Sequence, residues 1–198
     1  MKKRISIEEY RLIDMSLFGL MLIVFEYIIV RATNSRMFFD QAFTVSLAAP
    51  LTAIVYMRWG VRGGLEAALS GFVFCLFSGA TLNQYMIYIA GNLLSLAALI
   101  LPEKLGYETV RTSKWLYLVF PVLVLFLMQL GRGLVAMLLG SGYSAIIGFI
   151  TTDSLDYVFT LVIIWIVHRL DGVYEDQKHY LLRVHEEMEA EKEADTWQ

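Results

Sequence analysis

Long apolar runs, with the charged residues confined between them, are the feature that most constrains how this chain can fold. Of its 198 residues, 58% are hydrophobic and 18% are charged, whereas a soluble domain usually carries about a quarter charged residues. About 20 apolar residues are needed to cross a bilayer as a helix. Because lipid offers the backbone no hydrogen-bond partners, helices are the expected form of such runs. The sequence therefore predicts an all-α membrane protein.

We expect a compact bundle of six transmembrane helices in a domain that covers residues 1–170. The predicted spans are 12–30, 41–57, 64–82, 84–101, 115–138 and 154–168. The apolar core of segment 139–153 is too short to span, so a loop that can dip back toward the membrane is expected there, with a seventh span as the alternative. The remaining residues, 171–198, form an acidic helical tail that either keeps the chain soluble at this end or docks a cytoplasmic partner.

The distribution of basic residues predicts the orientation of the bundle. With six spans, only Arg31 and Arg36 fall opposite the N-terminus and Arg132 lies within a span, while every other Lys and Arg lies on the N-terminal side. Basic loops stay in the cytoplasm. Both termini are therefore predicted to be cytoplasmic.

Signals for catalysis are missing from the sequence. It contains no P-loop, HExxH or GxSxG pattern, and its histidines lie at or beyond the end of the last predicted span. We expect no enzyme activity, cofactor, metal ion or nucleic-acid partner. Cys75 is the single cysteine, which excludes an intrachain disulfide. Asp153 and Asp156 leave a membrane enzyme as an alternative, but such a pair at a helix start more commonly caps the helix.

Small residues follow one another at a spacing of four within Val61–Ala80, namely Gly63, Ala67, Gly71, Cys75 and Gly79. This spacing places them on one face of a helix and allows a second helix to approach closely. The neighbour is either another helix of this chain or a helix of another subunit. Glu66, beside this stripe, is expected to pair with Arg62 one turn earlier.

Polar residues gather in the outer half of the predicted bundle. Because charges inside spans are expensive, they suggest a site, and we expect a small-molecule pocket open to the exterior and roofed by the loop 31–43. In the alternative interpretation, Glu26 and Arg132 only neutralise each other. The candidate substrate-binding residues are Glu26, Arg31, Asn34, Phe38, Asn83, Tyr88, Asn92, Gln129, Arg132, Asp153, Asp156 and Tyr157.

Two stretches, "MRWGVRGGLEAALSGFVFCLFSGA" at 57–80 and "TDSLDYVFTLVIIWIVHRL" at 152–170, resemble the substrate-binding S components of energy-coupling factor (ECF) transporters. The resemblance implies a high-affinity binder of a vitamin or related micronutrient. It also implies a multi-pass protein of a bacterial or archaeal plasma membrane that works with a transmembrane coupling subunit and two cytoplasmic ATPase subunits.

S components often dock their coupling subunit through an AxxxA patch on the first span. Here the corresponding stretch offers only Ser16 and Gly19 as small residues, so the resemblance implies that Gly60, Gly63 and Gly64 help in docking. Two other classes fit the size and the span number. One is a membrane scaffold such as an MreD-like cell-shape protein, and the other is a sensor domain. A polar outer-half pocket favours the S component, and a closed apolar bundle favours the scaffold.

Overall fold

The computed structural model describes residues 6–33, 45–170 and 172–183, and every regular element within these ranges is helical. Short 3₁₀ segments, Gly60–Gly63 and Leu93–Leu99, connect α2 to α3 and α4 to α5. The all-α prediction is confirmed. The helices are α1 (Ile7–Thr33), α2 (Ala48–Trp59), α3 (Gly64–Ser78), α4 (Leu82–Asn92), α5 (Ile100–Leu105), α6 (Tyr107–Thr112), α7 (Leu116–Leu138), α8 (Ser144–Thr152) and α9 (Ser154–Val167).

Several helical runs are long and apolar enough to cross a membrane, as a multi-pass membrane protein requires. Within the described ranges they are Ile7–Ala32, Ala48–Ser78, Leu82–Leu105 and Leu116–Leu138. Helices α8 and α9, which meet at an angle of 44°, make a fifth candidate when taken together. Residues 144–152, within the segment 139–153 that was expected to be a loop, form a helix, and with α9 this helix makes either a bent span or a segment that dips into the membrane. A nine-residue helix is too short for hydropathy alone to reveal it as a span.

The run Ala48–Ser78 folds back on itself near Gly60. Gly60 has φ 59° and ψ −135°, a backbone conformation that glycine adopts without steric cost. A Cβ atom built on Gly63 would lie 3.1 Å from the backbone nitrogen of Tyr56. In a straight helix, residues seven positions apart would be separated by about 10.5 Å along the axis. Ala48 and Ser70 also line the same small cavity. Helices α2 and α3 therefore form an antiparallel hairpin.

A buried arginine joins α1, α2 and the C-terminal segment. Arg58 donates to Asp14 through Nε (2.8 Å) and Nη2 (2.6 Å), and through Nη1 to the carbonyl oxygens of Gly172 (2.7 Å) and Val173 (3.0 Å). Trp59 Nε1 donates to the same aspartate at 2.7 Å. We call the side of the bundle that holds these groups the terminal side. The opposite side, where α2 begins, is called the distal side.

Glycines let α3, α4 and α7 approach to backbone contact. A Cβ atom on Gly71 would lie 2.5 Å from the carbonyl oxygen of Tyr88, and one on Gly131 would lie 2.0 Å from the carbonyl oxygen of Gly91. Neither position has room for any side chain. The stripe of small residues in α3 therefore packs inside this chain at Gly71, and α4 is held between α3 and α7.

Candidate functional site in the distal half

Two buried carboxylates cap the N-terminus of α2. Glu26 accepts hydrogen bonds from the Ser46 hydroxyl and from the backbone nitrogen of Leu47 (2.9 Å), and Asp156 accepts one from the backbone nitrogen of Ser46 (2.7 Å). A helix N-terminus has unpaired amides and a partial positive charge, so both carboxylates are stabilised there. Glu26 Oε2 is buried and has no hydrogen-bond partner among the described residues.

Arg132 is the cation of this region and is bonded to three neighbours. Its Nε donates to Asn92 Oδ1 at 2.7 Å and its Nη1 to Gln129 Oε1 at 3.2 Å, and Nη1 lies 3.8 Å from Asp153 Oδ2. Gln129 in turn donates to Asp153. The guanidinium carbon lies 4.5 Å from the ring centroid of Tyr88, a cation–π geometry. We use the name distal cluster for Glu26, Ser46, Tyr88, Asn92, Gln129, Arg132, Asp153 and Asp156.

The predicted Arg62–Glu66 pair and the direct Glu26–Arg132 pair of the alternative interpretation are both absent from the described part of the chain. Glu26 makes its hydrogen bonds at the start of α2, and the carboxylate beside Arg132 belongs to Asp153. Residue positions give the depth of a side chain in the membrane but not its direction around the helix, so equal depth did not imply contact. The Arg62–Glu66 pair is also wrong, because Glu66 is 3% exposed while Arg62 points to the surface.

The centre of the distal cluster holds little empty space. The cavity there has a volume of about 10 Å³, which is about enough for one water molecule. Among the described residues, the carboxyl groups of Glu26, Asp153 and Asp156 share this region with one guanidinium, that of Arg132. The cavity is lined by Ser46, Ala48, Ser70, Phe74, Tyr88, Arg132, Asp153 and Asp156.

The structure separates the predicted site residues into distinct groups. Most of them meet in the distal cluster, whereas Arg31 and Asn83 are exposed near helix ends. Tyr157 is half-buried, and its hydroxyl has no hydrogen-bond partner among the described residues. Asn34 and Phe38, on the predicted roof loop, lie outside the described residues. The cluster members that were predicted are Glu26, Tyr88, Asn92, Gln129, Arg132, Asp153 and Asp156.

Sequence reasoning missed the serines of the site. Ser46 lies two residues before α2, and its hydroxyl also accepts from the backbone nitrogen of Ala48 at 3.0 Å. A serine just before an apolar helical run is a recognisable capping signal. Ser70 accepts from Asn92 Nδ2 at 2.9 Å and lies within the stretch of α3 that was considered only for packing.

The predicted docking residues also divide into two groups. Gly63 and Gly64 are buried, and a Cβ atom on Gly64 would lie 3.1 Å from Leu96. Gly60 forms the turn of the hairpin. None of these three glycines offers an open face to a partner helix. Ser16 and Gly19 differ, because they line a groove between α1 and α3 that opens to the surrounding lipid.

A second cavity, which the sequence did not predict, lies on the terminal side and has a volume of about 680 Å³. Glu175, at its wall, is 3.4 Å from Arg111 and 3.0 Å from Arg183. Hydrogen bonds from Arg111 lower the pKa of Glu108. Residues 172–183, which belong to the predicted tail, fold back onto the bundle here. The cavity is lined by Pro102, Glu103, Gly106, Tyr107, Glu108, Arg111, Glu175, Asp176, His179 and Arg183.

The chain has no match among protein-family models, curated proteins or solved structures. Within the described ranges, no group of three or more His, Cys, Asp or Glu side chains is placed to hold a metal ion. The geometry of the distal cluster and the resemblance of the sequence are therefore the observations that bear on function.

Proposed function

We propose that this chain is the substrate-binding subunit of a membrane importer and that its solute binds in the distal cluster. The observation that carries the proposal is the convergence of buried polar side chains from α1, α4, α7 and α9 in one half of an apolar bundle. Charged groups at membrane depth are expensive and usually serve a substrate or ion pathway. A purely structural bundle would be more stable with apolar residues at these positions.

The proposal includes six passages through the membrane. In this arrangement the α2–α3 hairpin provides two passages, although α2 with 12 residues and α3 with 15 are shorter than the usual span of about 20. Helices α8 and α9 together provide one passage. The bond between Asp14 and Arg58 on the terminal side, and that between Glu26 and Leu47 on the distal side, support antiparallel passages for α1 and α2. Both ends of the described chain then lie on the terminal side, which the positive-inside rule assigns to the cytoplasm.

The charge balance of the cluster favours a solute that carries a positive charge. Among the described residues, the carboxyl groups of Glu26, Asp153 and Asp156 outnumber the guanidinium of Arg132, so the cluster can accept hydrogen bonds from a solute that carries cationic or other donor groups. The stacked rings of Phe74 and Tyr88, with centroids 4.8 Å apart, suit a solute with a flat ring system. Entry of such a solute requires these two rings to move, because the present cavity accommodates about one water molecule.

The resemblance to ECF S components supports the wider role. In this role the chain captures a vitamin or related micronutrient from outside a bacterial or archaeal cell. A transmembrane coupling subunit and two cytoplasmic ATPase subunits then drive uptake, and the chain itself is not an enzyme. The distal position of the cluster agrees with capture from the side opposite the cytoplasm.

A panel of cationic, zwitterionic and anionic micronutrients tests the proposal through thermal denaturation of the purified chain. We expect a positively charged solute to stabilise the protein, by about 2.7 kcal/mol when present at 100 times its Kd. Asp156→Asn should weaken this effect, because asparagine keeps an acceptor for the Ser46 amide but loses the charge. Glu103→Gln, on the terminal side, is the matched control. Equal stabilisation of Asp156→Asn and wild type would contradict binding in the cluster.

A non-transporting scaffold is the second candidate, and one observation favours it. The polar groups of the distal cluster largely satisfy one another around a cavity of about 10 Å³, as expected of a permanently closed bundle. If the chain is a scaffold, no member of the solute panel should stabilise it. An ATPase module should also fail to co-purify with it.

A further inference from the structure

An apolar groove of about 490 Å³ runs between α1 and α3 on the outer surface of the bundle. Its rim is exposed, with Leu12 at 63% and Leu65 at 72%. Small residues line its α1 side, where Ser16 is exposed and Gly19 is buried against Leu69. The groove is lined by Leu12, Met15, Ser16, Gly19, Leu20, Ile23, Leu65, Glu66 and Leu69.

Glu66 is the single charged residue among the lining residues of this groove. The residue is 3% exposed, and its Oε1 atom is buried without a hydrogen-bond partner among the described residues. Its Oε2 atom would lie 3.7 Å from a Cβ atom built on Gly19, so the carboxylate reaches the floor of the groove. Glu66 lies in the first turn of α3, where the helix dipole offsets only part of the cost of its charge.

Glu66 has no counter-charge among the described residues of the bundle. Arg58, the nearest buried cation on the terminal side, is engaged by Asp14 and by two carbonyl groups. Arg62 is exposed, and the described residues form no ion pair with Glu66. A carboxylate held this way beside lipid is costly unless something else pairs with it.

We propose that the groove docks a transmembrane helix of another protein, and that this helix carries a lysine or arginine that pairs with Glu66. The small side chain of Ser16, which is exposed in the groove, lets the partner helix approach, and the basic side chain supplies the missing charge. Packing at small residues and interhelical polar contacts are the main attractions between helices in lipid. The inference deepens the proposed function, since it specifies the chemistry of the helix that a binding subunit would dock.

A second copy of this chain fits the groove poorly. Two copies related by a two-fold axis would present the same groove to each other, which would bring the two Glu66 carboxylates together. Arg11, a described basic residue of α1 on the terminal side, already pairs with Glu8 at 3.6 Å. The partner is therefore expected to be a different chain.

The test uses the full chain in lipid nanodiscs and synthetic transmembrane peptides of leucine and alanine. One peptide carries a single arginine at the depth of Glu66, and the matched peptide carries leucine there. Association is measured by energy transfer between labelled peptide and labelled protein. We expect the arginine peptide to bind about tenfold more tightly than the leucine peptide, and Glu66→Gln to abolish most of this preference.

Two further variants make the result specific to the groove. Ser16→Leu adds bulk at an exposed position of the groove and should weaken the binding of both peptides. Glu103→Gln removes an exposed acid outside the groove and should leave the preference for arginine unchanged.

Equal binding of the two peptides by wild type, or a preference that survives Glu66→Gln, overturns the proposal. Self-association of wild type that Glu66→Gln removes would overturn it too, because the occupant would then be a second copy. The experiment contains no solute, so its failure does not bear on solute binding in the distal cluster.

Discussion

Arg132 shows how one side chain can organise the polar interior of a membrane bundle. It donates to Asn92 and Gln129, lies beside Asp153 and covers the ring of Tyr88. Each of these contacts reduces the cost of a guanidinium at membrane depth. The same contacts hold α4 and α7 in register with the start of α9.

Replacement of Arg132 by alanine should therefore destabilise the protein strongly. The carboxylate of Asp153 would lose its cation, and removal of one partner of a buried pair costs about 3–5 kcal/mol. Arg169→Ala is the control, since Arg169 is exposed and stacks on Trp165 at 3.9 Å; it should cost at most about 1 kcal/mol. Denaturation of both variants in detergent measures the difference. Similar stabilities for the two variants would show that the Arg132 network contributes little.

At the scale of helices, α4 and α7 are in direct backbone contact. A Cβ atom on Gly131 would lie 2.0 Å from the carbonyl oxygen of Gly91, so Gly131→Ala must push the two helices apart. Overpacking of this kind costs about 1–3 kcal/mol or more. Gly148 in α8 has no atom within 4 Å of its would-be Cβ, so Gly148→Ala should stabilise its helix by about 0.5–1 kcal/mol.

Melting temperatures of these two glycine variants provide the measurement. We expect them to move in opposite directions from that of wild type. If Gly131→Ala melted at the wild-type temperature, α4 and α7 would not pack as closely as described.

The helices were predictable from the sequence, but their contacts were not. Apolar runs and the need to satisfy the backbone in lipid predicted α7 and α9 at nearly the observed bounds, and they predicted the central part of α1, which begins five residues earlier and ends three residues later than expected. Hydropathy could not reveal α8, which is short, nor which face of α1 carries Glu26 toward Ser46. Arg58 was interpreted only as a cytoplasmic flanking charge, because its bond to Asp14 joins residues far apart in the chain. The spacing of small residues predicted that α3 packs closely against another helix, and the structure shows that this neighbour is α4 at Gly71.

At the scale of the whole molecule, the two sides of the bundle differ in their chemistry. The terminal side joins α1, α2 and residues 172–183 through Arg58, and it carries an ion-pair network around Glu175. The distal side buries carboxylates around one guanidinium. In the proposed role as an importer subunit, the distal side would capture the solute and the terminal side would engage the partners.

Reporter fusions test the proposed orientation of the molecule. A reporter that is active only in the cytoplasm should be active at Gln198 and inactive when inserted within 31–40, because six passages and the basic residues place these points on opposite sides. The amount of each fusion protein in the membrane provides the expression control. Activity of the reporter on the outside at Gln198 would exclude six passages.

The most direct test of the central claim is native mass spectrometry of the chain purified from cells grown in rich medium. If the distal cluster binds a solute, wild type should retain a small molecule that is not a lipid, and Asp156→Asn should lose most of it while Glu103→Gln retains it. A wild-type spectrum that shows only the protein and lipid adducts, or a small molecule that Asp156→Asn retains equally, would contradict solute binding in the distal cluster.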